Sequence, residues 1–242
     1  MLTHRLKMSL PSIFTLGNIL CGFLAINNVV EGSFVSAAWW IVIAGILDAL
    51  DGKVARITGT SSDFGVELDS IADIVSLGVA PAVLIYNYAL IEGGMFGYAL
   101  AFMYLACGAI RLARFNTSAT TVKKHSFTGM PIPGGAGILA SYVLFTENVY
   151  SGLANFDFVI ALTVLTSLAM VSRFKYSVLP RIAFSKPSEI IRSMMFFGHI
   201  VLAVRFPDEL CLPTGLIYLF SGPVKALTAP AMNMVMNRSN SR

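Results

Sequence analysis

The stretch DALDGKVARITGTSSDFGVELDSIAD, residues 48–73, holds the side chains whose types and spacing can do chemistry. Asp48 and Asp51 are spaced i,i+3, and Asp69 and Asp73 are spaced i,i+4, so on helices each pair shares one face. Two such helices joined by one loop can point all four acids toward a common cavity. Four carboxylates held close repel one another and are costly to desolvate, so something positive has to sit among them. Oxygen-only donors favour hard divalent cations, Mg²⁺ or Mn²⁺ and also Ca²⁺, and no soft ligand is close in sequence. A pair of metal ions suits four carboxylates and would neutralise the oxygens of a diphosphate during displacement at phosphorus. Gly52, Ala55 and Gly65 allow close approach by a helix or ligand, and Arg56 supplies a fixed cation for a phosphate. Taken singly, each acid reads equally well as a solvated loop charge. The joint pattern, with glycine and arginine between the pairs, points to a metal-dependent diphosphate site.

The elements that must position these acids are membrane helices. The chain has 242 residues, 56% hydrophobic and 12% charged, and a mean hydropathy of +0.74, far more apolar than a soluble domain. A spanning helix needs about 20 apolar residues, and such runs occur near 11–30, 33–51, 66–90, 95–115, 132–150, 155–172, 190–206 and 210–229. The expectation is an all-α polytopic bundle of eight transmembrane helices, because lipid leaves backbone polar groups no partners outside the helix. Alternate connections are basic: Arg5 and Lys7; Lys53 and Arg56; Arg111, Arg114, Lys123 and Lys124; Arg173 to Arg192; Arg238 and Arg242. The intervening loops carry Glu31, Glu92, Glu147, Asp157, Asp208 and Glu209. The positive-inside rule therefore puts the basic side, the acid cluster and both termini in the cytoplasm.

The net charge of +4 fits this orientation and anionic lipid headgroups, and argues against nucleic acid as a partner. Cys21, Cys107 and Cys211 lie far apart in apolar runs, and His4, His125 and His199 form no spaced pair, so neither a disulfide framework nor a zinc site is expected. No cleavable signal peptide is evident. Residues 1–180 read as the catalytic membrane domain, a core of six helices, and 181–242 as a C-terminal transmembrane extension of it. A metal- or proton-coupled transporter would also keep acids in the membrane, but it tends to repeat them in two related halves. Here they cluster once.

Asp48-x-x-Asp51-Gly52-x-x-Ala55-Arg56, eight residues, then Gly65-x-x-x-Asp69-x-x-x-Asp73 resembles the complete signature of the CDP-alcohol phosphotransferase family. That family exchanges the CMP of a CDP-linked lipid or alcohol for another hydroxyl. The resemblance implies that Asp48, Asp51, Asp69 and Asp73 surround divalent metal and that Asp73 is also the base. It further implies that Gly52, Ala55, Arg56 and Gly65, with Thr15 from the first helix, shape the CMP and phosphate site. LPSIFTLGNILCGFLAI, RLARFN, FTGMPIPGGAG and MVSRFKYSVLP resemble the integral-membrane phosphatidylserine synthases within that family. The related phosphatidylglycerophosphate synthases usually show arginine where this chain has Asn18. This resemblance implies CDP-diacylglycerol as donor, L-serine as acceptor and a homodimer in the membrane lipid. A serine carboxylate wants a guanidinium fork, which Arg111 or Arg114, spaced i,i+3 beside Asn116, can supply; Asn18 joins them as a serine-binding residue. Glycerol 3-phosphate or inositol phosphate as acceptor, or an ether-lipid donor, are the alternatives. PIPGGAG lacks the spacing and lysine of a phosphate loop and reads as a helix start packed closely on a neighbour.

Overall fold

Two apolar helices joined by a three-residue turn open the chain in the computed structural model, which describes residues 2–58, 63–118, 126–177 and 205–239. Helix α1 is Leu2–Val30 and α2 is Phe34–Thr58. Gly32 makes the reversal between them at φ +76°, a conformation that suits glycine. The amide of Ser33 closes the turn on the Asn28 carbonyl at 2.8 Å. The two helices run antiparallel in close contact, so the end of α2 bearing Asp48 and Asp51 lies beside the first half of α1.

Helix α3, Asp63–Asp73, passes directly into a π-helical segment, Ile74–Val79, then α4, Ala80–Ile85, a second π-helical segment, Tyr86–Leu90, and a 3₁₀ turn, Ile91–Gly93. The first π-helical segment begins immediately after Asp73, and its wide turn is sealed by the Ala80 amide on the Val75 carbonyl. Such single-turn π segments inside helices are frequent at functional sites. Here the segment fits against α1: a Cβ on Gly22 would stand 2.6 Å from the Cα of Ser76, so only glycine permits the approach.

Helix α5, Gly94–Ser118, packs on α7, Phe156–Val171; α6, Ile132–Val149, packs on α2 and on α8, Pro207–Ser239. Asn155 caps α7 by accepting the Phe158 amide at 2.9 Å, as its side chain favours at a helix start. Two short strands, β1 (Ser126–Thr128) and β2 (Lys175–Ser177), pair antiparallel with Phe127 opposite Tyr176. They bring the approach to α6 against the exit of α7. Gly129, at φ +81°, sits where a Cβ would meet the Met170 carbonyl oxygen at 2.3 Å. Tyr176 is fully buried, donates its hydroxyl to the Leu219 carbonyl at 2.9 Å, and rests against Gly222, tying α8 to this clamp.

The core is aliphatic and aromatic, with Ile41, Leu77, Leu84, Ile85, Tyr104, Ile138, Leu139 and Leu144 buried between helices. Large apolar side chains such as Phe23, Ile46, Phe102, Leu168 and Ile217 face outward, as lipid contact requires. Among the described residues, four helical stretches are long and apolar enough to cross a membrane: Ile13–Val30, Phe34–Val54, Phe64–Thr117 and Pro207–Thr228. Phe156–Val171 is a shorter apolar helix. The expected run 66–90 is helical but interrupted by the π-helical segments Ile74–Val79 and Tyr86–Leu90. Most of the expected run 190–206 lies outside the described residues. In the PIPGGAG stretch, a Cβ on Gly135 would lie 3.3 Å from Met170, Thr166 and Tyr104, which is the close packing expected of it.

Candidate active site

Three of the four sequence-predicted acids meet. One carboxylate oxygen from each of Asp48, Asp69 and Asp73 lies within 4.8 Å of the other two. The arrangement follows from helix spacing: Asp48 comes from the last turns of α2, while Asp69 and Asp73 share one face of α3. Asp73 is buried and the other two are half-buried. Oδ1 of Asp69 is shut away from water without a hydrogen-bond partner among the described residues. A buried, unpartnered carboxylate oxygen is costly, and Asp69 belongs to a cluster of hard oxygen donors. The donor set therefore fits a divalent metal ion.

Asp51 is placed differently. It is buried next to the triad, and its Oδ2 accepts a hydrogen bond from the Thr15 hydroxyl of α1. Thr15 thus touches the acid cluster from α1, a helix that carries none of the four acids. Asn18, one turn further along α1, is fully buried. Its Nδ2 donates to Asp73 Oδ1 at 3.3 Å, and its Oδ1 accepts from the Ser76 hydroxyl at 2.5 Å. The Ser76 hydroxyl also lies 2.8 Å from the Ala72 carbonyl.

Arg111 is buried, with its guanidinium 5.3 Å from the Phe115 ring centre, and it is the cation that acts electrostatically on both Asp48 and Asp73. Tyr218 of α8 is a further electrostatic neighbour of Arg111. Arg114 is exposed and donates to the Val171 carbonyl at 3.0 Å. Asn116 donates to the Ser70 hydroxyl at 2.8 Å, one residue beyond Asp69. Gly52 is exposed with open space where a Cβ would stand, and Gly65 is half-buried near the start of α3. Ala55 and Arg56 belong to the last turns of α2, with side chains outside the described residues; Lys123 and Lys124 also lie outside them.

The sequence reading did not single out Ser76 or Tyr218. A signal for Ser76 exists: it is a small polar residue three positions after Asp73 at the edge of an apolar run. Tyr218 has none, because it reaches Arg111 only through the packing of α8.

Residues 8–174 match the sequence model of CDP-alcohol phosphatidyltransferases. The chain belongs to the CDP-alcohol phosphatidyltransferase family. As a member of that family and with four membrane-length apolar stretches among the described residues, it is an integral membrane protein. It is similar over 232 residues, at 34% identity, to a CDP-diacylglycerol-serine O-phosphatidyltransferase of Helicobacter pylori, covering 96% of each chain. A protein of the same name from Methanocaldococcus jannaschii is 36% identical over 230 residues, covering 93% of this chain and 98% of the relative. An archaetidylserine synthase of Methanothermobacter thermautotrophicus is 36% identical over 171 residues, 70% of each. The first two alignments run past the end of the family match, so the C-terminal helix is shared with whole relatives of this family.

Proposed function

We propose that this membrane enzyme transfers the phosphatidyl group of CDP-diacylglycerol to the hydroxyl of L-serine, giving phosphatidylserine and CMP. One observation carries the chemistry: three acids of the family signature each bring a carboxylate oxygen within 4.8 Å of the other two. The names of relatives that align over nearly their whole length support serine as the acceptor.

The serine oxygen attacks the phosphorus that bears diacylglycerol, the bond to the CMP oxygen breaks, and the hydroxyl proton passes to Asp73. Asp48, Asp69 and Asp73, with Asp51 adjoining, would hold divalent metal, Mg²⁺ or Mn²⁺ and two ions by the number of carboxylates. When bound, it would neutralise the diphosphate and the departing CMP. Asp73 serves as base because it is the acid anchored by a neutral amide, which holds its carboxylate in place for the incoming hydroxyl. Gly52 leaves room for the nucleotide, and Ala55, Arg56, Gly65 and Thr15 complete the CMP and phosphate site. Arg111 takes the serine carboxylate, being buried beside the acids, with Arg114 and Asn116 at the same end of the bundle. The site faces the cytoplasm, both termini lie there, eight helices span the membrane, and the protein works as a homodimer. Residues 1–180 form the catalytic domain and 181–242 extend it.

An ether-lipid donor is the second reading, favoured by the similarity to an archaetidylserine synthase. One assay tests both: purified protein with divalent metal, CDP-diacylglycerol or its ether analogue, and labelled serine, glycerol 3-phosphate or inositol phosphate, scored by lipid product. Serine-dependent CMP release that stops in excess EDTA is the expected result. Preference for another alcohol overturns the serine assignment, and turnover in EDTA overturns the metal.

A further inference from the structure

We infer that Ser76 and Asn18 are a positioning pair for the base: the Ser76 hydroxyl sets the sense of the Asn18 amide, which in turn holds Asp73 in its working orientation. This inference rests on the proposed reaction and on Asp73 as its base.

The geometry admits one amide sense. Asp73 in its charged form only accepts hydrogen bonds, so the NH₂ of Asn18 has to face it. The opposite sense would set the amide oxygen against the carboxylate. Ser76 resolves the choice by offering a donor to Asn18 Oδ1 at 2.5 Å, and both residues have 0% exposure, so water cannot take its place. The same hydroxyl lies 2.8 Å from the Ala72 carbonyl, inside the turn that carries Asp73, so two acceptors share its one proton. The scaffold is equally specific. Ser76 lies in the π-helical segment that starts after Asp73, and α1 reaches it through Gly22, whose missing Cβ lets the two backbones touch.

With one oxygen of Asp73 fixed by Asn18, the plane of the carboxylate is fixed, and with it the direction from which a hydroxyl proton can be taken. Asn18 therefore acts through Asp73 and does not contact the acceptor. Its buried amide has both of its faces committed, one to Asp73 and one to Ser76, which leaves little for a serine ligand. A residue of this kind changes the rate of the chemical step and leaves acceptor affinity in place.

The test is a double-mutant cycle on the full-length protein in detergent or nanodiscs. Ser76→Ala, Asn18→Ala and the double variant are assayed for serine-dependent CMP release with serine varied at saturating CDP-diacylglycerol and metal. Ser76→Ala should lower kcat about tenfold, with KM for serine within about twofold of wild type. The double variant should be no slower than Asn18→Ala alone, because both act through one chain of hydrogen bonds. Ser76→Cys, close in volume but a weaker donor, should fall between Ser76→Ala and wild type, and it serves as the readout if the alanine variant does not fold. Effects that multiply, a serine KM that rises while kcat holds, or a Ser76 variant with wild-type kcat each overturn the inference. Wild-type protein in the same assay separates the two levels: no CMP release with serine rejects the reaction itself, whereas an active wild type with additive variants rejects only the positioning role.

Discussion

At the scale of single residues, the acids divide by what holds them. Asp51 is tied to Thr15 and Asp73 to Asn18, while Asp69 keeps a buried oxygen without a partner among the described residues. Substitution should separate these positions. Asp73→Asn keeps the shape but removes the proton acceptor, and kcat should fall by about 10²–10⁴, measured as CMP release from protein with an unchanged thermal unfolding profile. Asp69→Asn should instead weaken Mn²⁺ binding by about tenfold or more, read by titration calorimetry on the purified protein. Arg111→Lys exchanges a planar fork for a point charge, and KM for serine should rise about tenfold, with the donor KM little changed. The types and spacing of the acids were readable from the chain because helix periodicity fixes which of them share a face. The split between Asp51 and the other three was not, since it depends on Thr15, 36 residues away in sequence. Asn18 was singled out in the sequence as a residue for the acceptor, whereas its position in the fold puts it against Asp73.

At the scale of elements, two backbone approaches set the site. Gly22→Ala would drive a methyl into the backbone of Ser76 and push α1 from the π-helical segment. Activity and stability should therefore fall together, measured as CMP release and thermal unfolding of the same sample. Gly129→Ala combines a positive φ with a Cβ 2.3 Å from the Met170 carbonyl oxygen, and should cost about 1–3 kcal/mol of stability. Helices were legible in the sequence from apolar length alone, and their expected runs overlay the observed ones at 11–30, 33–51, 95–115, 132–150 and 155–172. The π-helical segments and the β1–β2 clamp were not. The π-helical segment after Asp73 packs on Gly22 of α1, far away in sequence, and the clamp pairs strands about fifty residues apart.

At the scale of the whole molecule, the bundle gathers its acid cluster and Arg111 at one end. Asp48, Asp69, Asp73 and Arg111 gather there, while Glu147 belongs to the far end of α6, where it borders Ser33 and Phe34 of the α1–α2 turn. In a cysteine-free background, a cysteine at Lys7 should react with an impermeant thiol reagent only after cells are opened, and one at Asp208 in intact spheroplasts. The reverse pattern would place the acids on the outer face. The C-terminal helix belongs to this same body: Tyr176 reaches Leu219, and Arg111 acts on Tyr218. That continuity was hidden in the sequence, where residues after 180 carry no motif of their own.

The hydrogen bonds from α1 to the acids also bear on how the protein is made. Thr15 and Asn18 leave the ribosome before the carboxylates they serve, and both lie on the first membrane-length stretch, Ile13–Val30. A polar group entering lipid without a partner is expensive, and here the partner is laid down first. Biosynthetic order thus works in favour of the fold, with the first span receiving the acids of the second and third as each arrives. Replacing Thr15 and Asn18 together by valine and leucine should lower the fraction of nascent chains whose third span inserts, measured by glycosylation-site mapping of truncated translation products. Equal insertion with and without those two side chains would mean that the acids enter the membrane before their partners engage.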